Sequence, residues 1–410
     1  MDQAARRIID RCRELAAISD VEGETTRLFL SPATRQAHAL VLGWMNEAGL
    51  ATRVDDIGNV RGFRAASEPD ASTLLLFSHI DTVRNAGAFD GPLGVVLGIE
   101  VVAALGERRL PFNIEIIAFS EEEGVRFGFP FLSSLAATGQ LAHTQLDLVD
   151  AEGIAVADAL RNFGLTPEAI AQTAALPPDS FAALEVHIEQ GPVLEAANES
   201  LAVVEGIVGQ SRLRFTFEGH ANHAGTTPMA LRKDALAAAA QWITEVERYA
   251  ADNAPLVATV GHVEILPGAV NVIPGRVVAS LDIRHPDDNA RRSAVTHLQD
   301  FAKQVATQRG VSLLSELTSE QNTIQMDGPL TNKLLHAAQG GAEPVGAMYS
   351  GAGHDAMIVA PHVPTTMLFL RSPGGVSHHP TETVREQDVS AALRAVLTFI
   401  AELEREVTAR

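Results

Sequence analysis

The chain has 410 residues, of which 46% are hydrophobic and 20% charged, with 31 basic against 51 acidic side chains and a formal net charge of −20. That length exceeds one ordinary domain and predicts two, each with ample material for a core. The acidic balance argues against nucleic acid or an anionic membrane as partner, so an anion site has to be built locally. Cys12 is the only cysteine, which excludes an intrachain disulfide and thiolate metal sites. The opening Met1-Asp2-Gln3-Ala4-Ala5-Arg6-Arg7 lacks the apolar core of a signal peptide, and no apolar run approaches a membrane span. A soluble, cytoplasmic protein is the expectation.

In chain order, residues 3–18 predict an amphipathic helix with Ile8, Ile9, Cys12, Leu15 and Ala16 on one side. A second helix is expected over 33–48, then short strands at 52–54 and 59–63. The run Leu74-Leu75-Leu76-Phe77 reads as a strand covered on both faces, since four consecutive apolar residues suit that position. It leads into Ser78-His79-Ile80-Asp81, placing His79 and Asp81 at a carboxyl end, where ligands collect in open α/β sheets. Glycines at 87, 91 and 94 let the following backbone close around those side chains. His79 and Asp90 are good ligands for a divalent metal of borderline hardness, with Asp81 placed to fix the tautomer and orientation of His79.

Residues 94–105, apolar and rich in small residues, predict a helix buried against the sheet. The next buried strand, 114–119, ends in Ser120-Glu121-Glu122-Glu123-Gly124, and three adjacent acids there are costly unless a cation holds them. A helix is expected at 154–163; a third strand, 181–186, then ends at His187. From 211 to 218 polar and apolar residues alternate with period two, the mark of a half-exposed antiparallel strand. A helix at 233–249, strands near 257–266 and 277–284, and a helix at 288–308 stopped at Gly310 complete an inserted α+β domain of residues 211–325. The first architecture returns with a helix at 329–339, a strand at 366–370 and a helix at 386–406 whose Val389, Leu393, Val396, Ile400 and Leu403 form a core stripe.

Taken together, His79-x-Asp81, Phe89-Asp90-Gly91, Glu122-Glu123-Gly124, His187-Ile188-Glu189-Gln190-Gly191 and Ser377-His378 resemble, in order and spacing, the metal-dependent amidohydrolases of the M20 peptidase family. More specifically the motifs resemble the branch of allantoate amidohydrolases, N-carbamoyl-L-amino-acid hydrolases and β-ureidopropionases, which residues 219–229 and Leu281-Asp282-Ile283-Arg284 also resemble. The resemblance implies an α/β, mixed-sheet, metallopeptidase-like catalytic domain of residues 1–210 and 326–410, with 211–325 an inserted α+β sandwich that acts as lid and dimerisation domain of a homodimer. It implies two divalent ions per subunit, Zn²⁺ or Mn²⁺ with Co²⁺ and Ni²⁺ as alternatives, one on His79 and His187, the other on Glu123 and His378, and Asp90 bridging both.

The same resemblance makes Glu122 the general base, with catalytic support from Asp81 and His223, although the adjacent Glu121 leaves the choice of acids open by one position. His223 and Asn271 would stabilise the oxyanion and Arg284 would grip the carboxylate of a small anionic ureido substrate, with Gln190, Gly353 and His354 as further substrate contacts. Closure of the two domains around substrate is expected. Arg371-Ser372 stands where carbamoylases carry Pro-Ser, which with Gly374-Gly375 tilts the reading towards allantoate. An N-carbamoyl amino acid is the rival substrate, and a non-catalytic binding member of the fold is the alternative of another class.

Overall fold

A computed structural model of the protein describes residues 1–341 and 344–409, and the chain forms two compact units, Met1–Glu205 with Gln325–Arg410, and Gly206–Ile324. In chain order the strands are β1 Ala51–Val54, β2 Val60–Arg64, β3 Thr73–His79, β4 Asn113–Phe119, β5 Ser180–Ile188, β6 Leu201–Ile207, β7 Gly209–Glu218, β8 Val257–Thr259, β9 Val263–Leu266, β10 Arg276–His285, β11 Ser312–Gln321, β12 Ile324–Gln325, β13 Gly346–Ser350 and β14 Thr365–Leu370. The change of character read at 211 falls inside β7, whose pairing with β10 already starts at Gly209 opposite His285.

Nine strands among the described residues form the larger sheet, in the order β1-β2-β4-β3-β5-β14-β6-β12 with β13 also on β6. Its centre, β4, β3, β5 and β14, runs parallel, while β2 and β6 join antiparallel, so the sheet is mixed. Every residue of β3 is buried, as its unbroken apolar run requires of a strand covered on both faces. Helices Asp2–Ala16, Pro92–Leu105, Gly328–Gln339 and Glu386–Thr408 share one apolar cluster with the sheet interior, which includes Ile8, Val96, Leu334 and Leu393. A second cluster of Phe29, Ile57, Leu132, Leu160 and Phe163 packs beneath the segment that follows β4. Register then decides where the chemistry gathers: His79 lies opposite Phe119, and Phe369 opposite His187, so β3, β4, β5 and β14 end at one edge.

The second unit is a five-stranded antiparallel sheet, β11-β7-β10-β8 with β9 also on β10, covered by helices Ala235–Asp252 and Asp288–Arg309. Phe215, Phe217, Leu281 and Ile283 bury the alternate faces of β7 and β10 against Trp242 and Leu298. Asp234 and Asp287 cap the two helices with side-chain oxygens on their first free peptide nitrogens. No helix among the described residues is long and apolar enough to cross a membrane.

Candidate metal centre

The first two histidines arrive on neighbouring parallel strands and are aimed by their own backbone. His79 Nδ1 lies 3.2 Å from the Asp81 carbonyl oxygen and 3.4 Å from its carboxylate. His187 Nδ1 lies 2.9 Å from the Ile188 carbonyl. A carbonyl oxygen only accepts, so each Nδ1 carries the proton and each Nε2 is left as a lone-pair donor. The two Nε2 atoms come within 3.4 Å of each other and lie 3.6 Å and 3.2 Å from Asp90 Oδ1. That oxygen is buried and has no hydrogen-bond partner. Two lone pairs and an orphaned anionic oxygen converging on one point fit a cation.

The acid loop follows β4. His38 Nε2 meets Ser120 Oγ at 3.0 Å, and the Ser120 hydroxyl donates to the Gly58 carbonyl. Glu121 turns back into the protein, accepting from the peptide nitrogens of Gly124 at 2.7 Å and Leu132 at 2.9 Å. Glu122 and Glu123, by contrast, both group with His79, and Glu123 also with Asp90 and His378. The Asp81 carboxylate accepts from the backbone nitrogens of Glu122, at 3.0 Å, and Glu123, at 3.1 Å. Asp81 thus ties the histidine strand to the acid loop, using its carbonyl for one and its carboxylate for the other. Buried Arg27 steadies the same turn, its Nε donating to the Ile80 carbonyl at 2.6 Å.

Asp90 is the hub. Its Oδ2 accepts from Gln190 Nε2 and Ser377 Oγ, both at 2.8 Å, and lies 3.1 Å from His378 Nε2. His378 Nε2 is 3.8 Å from Glu123 Oε1. One oxygen of Asp90 therefore faces His79 and His187, while the other faces His378, which Glu123 also approaches. Gly91 has φ +81°, and a Cβ there would collide with the His79 ring, so both conformation and space demand glycine. Gly94 is required by the close approach of the Val186 carbonyl.

Burial drives Glu122 well above the usual carboxylate range, with Glu123, Asp355 and Asp81 adding to the rise against His79. Burial and then Asp90 push Glu123 up to about 7. Burial opposes the charge of Asp90, yet the imidazoles of His187, His378 and His79 gathered around it hold its carboxyl well below the usual range. A pocket that crowds this many acids at one sheet edge is stabilised by positive charge. The donors are nitrogen and oxygen only, so the residues present fit Zn²⁺, Mn²⁺, Co²⁺ or Ni²⁺.

The other expected residues divide by unit. Gln190, at φ +59°, joins the centre through Asp90. Gly353 lies against Phe131 and Met357. His354 is 1% exposed, with Nε2 3.1 Å from Ser350 Oγ and its ring 4.5 Å edge-on from His187. It backs the His187 ring instead of facing open space, and burial holds its pKa well below the usual value. In the second unit, His223 is exposed and its Nδ1 accepts from Gly225 at 3.0 Å and Thr226 at 3.2 Å, leaving an Nε2–H donor in the neutral ring. Asn271 lies beside it, its carbonyl accepting from the Ala224 nitrogen. Arg284 grips Asp282 through Nε at 2.8 Å and Nη2 at 3.2 Å, and Asp282 also takes Arg212 and Gln210.

Three findings lie beyond the sequence reading. Glu382 accepts from the peptide nitrogens of Phe89 and Asp90. Glu185, within β5, accepts from Ala356 N at 2.8 Å; a charge in an otherwise apolar strand was its signal. Asp355 is fully buried, and burial pushes it up to about 7. Arg371, which with Ser372 departs from the carbamoylase pattern, is 1% exposed and clamped on Asp388 at 2.7 and 2.9 Å.

Comparison with known proteins places this geometry. The profile of Peptidase family M20/M25/M40 matches residues 75–402. Allantoate deiminase 1 of Glycine max is 39% identical over 96% of this chain and 89% of its own length. The N-carbamoyl-L-amino acid amidohydrolase of Geobacillus stearothermophilus is 38% identical over 97% of this chain and 98% of its own. Among solved structures, an amidase of the hydantoinase/carbamoylase family from Burkholderia multivorans superposes with a TM-score of 0.90 at 32% identity, covering 97% of both chains.

Proposed function

The chain belongs to peptidase family M20/M25/M40 and is an amidohydrolase acting on C–N bonds, and on that premise we propose that it opens the ureido group of allantoate, giving ureidoglycine, ammonia and carbon dioxide. The observation that carries the reading is the divided role of Asp90, with one oxygen towards His79 and His187 and the other towards His378 and Glu123. That division supports a reading in which His79 and His187 would hold one divalent cation and His378 and Glu123 another, with Asp90 between them. Bound there, they would supply a Lewis acid for the scissile carbonyl and lower the pKa of the attacking water.

Glu122 takes the proton of that water and delivers it to the departing nitrogen, a role open to it because its carboxylate sits beside His79 and its backbone is locked on Asp81. Asp81 positions both partners of that step. The tetrahedral oxyanion is met by the Nε2–H of His223 and the amide of Asn271. Arg284 pairs with the substrate carboxylate in the fork geometry that lysine lacks, with Asp282 presenting the guanidinium. Gln190, linked to Asp90, completes the substrate contacts together with Gly353. A homodimer is part of this reading.

A second reading, hydrolysis of an N-carbamoyl-L-amino acid, uses the same groups, and the relatives named above divide between the two. Ammonia release from allantoate, N-carbamoyl-L-amino acids and N-carbamoyl-β-alanine, each with added Mn²⁺ and with Zn²⁺, separates them. Allantoate is expected to be turned over fastest; a clear preference for either carbamoyl substrate overturns the choice.

A further inference from the structure

The ligands of the centre differ in how they are held. The His79 and His187 rings are fixed locally, each by a carbonyl within two residues of itself. Asp90 has no such neighbour. Its backbone is held from the far end of the chain, where Glu382 Oε1 accepts from Phe89 N at 2.9 Å and Asp90 N at 3.0 Å. Glu382 Oε2 lies 3.2 Å from Ser377 Oγ, and the same hydroxyl reaches Asp90 Oδ2 at 2.8 Å. Glu382 therefore touches both the peptide and, through Ser377, the carboxylate of the hub residue. Its own side chain is 5% exposed and lies where a Cβ on Gly87 would be. The loop has given up a side chain at 87 to admit it.

A buried carboxylate spent on two peptide nitrogens and a serine is costly unless the geometry it sets is needed. We propose that Glu382 is a positioning residue that locks Asp90 in its divided posture, and so builds the cation position formed by Asp90 Oδ2, Glu123 and His378. The inference rests on the two-cation reading above and adds which of the two positions depends more on the latch. The position on His79 and His187 loses only the hold on its shared Asp90 ligand, its two rings keeping their local supports; the other loses more, because Ser377 and His378 also sit on the segment the latch ties down.

The test is a Mn²⁺ titration of the full-length protein, read as ions bound and their affinities, together with the exchange-coupled electron paramagnetic resonance signal of a Mn²⁺ pair. Wild type is expected to hold two ions with a coupled signal. Glu382→Ala is expected to weaken the ion on Asp90 Oδ2, Glu123 and His378 by about 10- to 100-fold, to weaken the ion on His79 and His187 several-fold less, since only its shared Asp90 ligand loosens, and to lose the coupling. Glu382→Gln retains an acceptor for the two peptide nitrogens and should restore the second ion. Gly87→Ala, which touches no ligand but displaces the Glu382 side chain, should act like Glu382→Ala, and it decides the matter should the latter not fold. Two ions of unchanged affinity in either disrupting variant, or equal weakening of both ions, overturns the inference. Fewer than two ions on wild type overturns the two-cation reading itself, which the variants then have no part in.

Discussion

The edge where β3, β4 and β5 end and the second unit both present polar and charged side chains, held in opposite ways. In the first, His79, His187 and Asp90 are at most 4% exposed and each has one atom spoken for and one aimed at its neighbours. In the second, His223 is exposed, and Arg284 has a carboxylate two residues along its own strand. Buried charge is tolerated only where something compensates it, whereas solvated charge needs no partner at all. The difference shows which region is organised around an ion and which presents groups that are stable with or without a ligand.

The sharpest way to break that contrast is Glu122→Gln. Glutamine keeps the size and the backbone bond to Asp81 but cannot carry a proton between water and leaving group. Turnover should fall by about 10²- to 10⁴-fold while Mn²⁺ stoichiometry is unchanged. Wild-type turnover in a metal-loaded variant would falsify the role given to this residue.

The contrast also predicts where cations act on stability. At a hundredfold excess over its dissociation constant, an ion that binds only the folded state adds about 2.7 kcal/mol. Hydrogen exchange after chelation should therefore quicken at the carboxyl ends of β3, β4 and β5, where the acids lose their counter-charge. The amides of β7 and β10 should change little. Equal loosening of both sheets would mean that the crowded acids are stabilised by something other than a local cation.

What the sequence made legible follows from the same physics. Strands with uninterrupted apolar runs, such as Leu74–Phe77, announce themselves and deliver His79 and His187 to a common edge. The stripe on Glu386–Thr408 is equally plain, with Val389, Leu393 and Val396 all buried. By contrast β11 alternates but leaves most of its residues exposed on an edge, so it carried no burial signal and was not foreseen. Glu382 acts across 292 positions on a peptide nitrogen, a contact with no local trace. Arg371 likewise finds its partner, Asp388, on the terminal helix, with no local trace of the pairing. Local pattern reveals which faces are buried; it does not reveal which distant groups meet there.

The smallest effect concerns the anchor of the acid loop. His38, on helix Pro32–Glu47, holds Ser120 from inside the core, and burial, then Arg27 and Arg35, lower its pKa to about 3 from 6.5. Between those values the unfolded chain binds a proton that the folded one refuses, so this stabilisation is complete above pH 6.5 and is lost as pH falls towards 3. His38→Gln can keep a bond to Ser120 without titrating. The stability lost between pH 7 and pH 5, read from urea midpoints, should shrink by about 2 kcal/mol in the variant. Asp55 works with the opposite sign, since burial pushes it up to about 6, but it is common to both proteins and cancels in the difference. An unchanged pH dependence would place the acid sensitivity of the first unit elsewhere than in the histidine that holds the head of the acid loop.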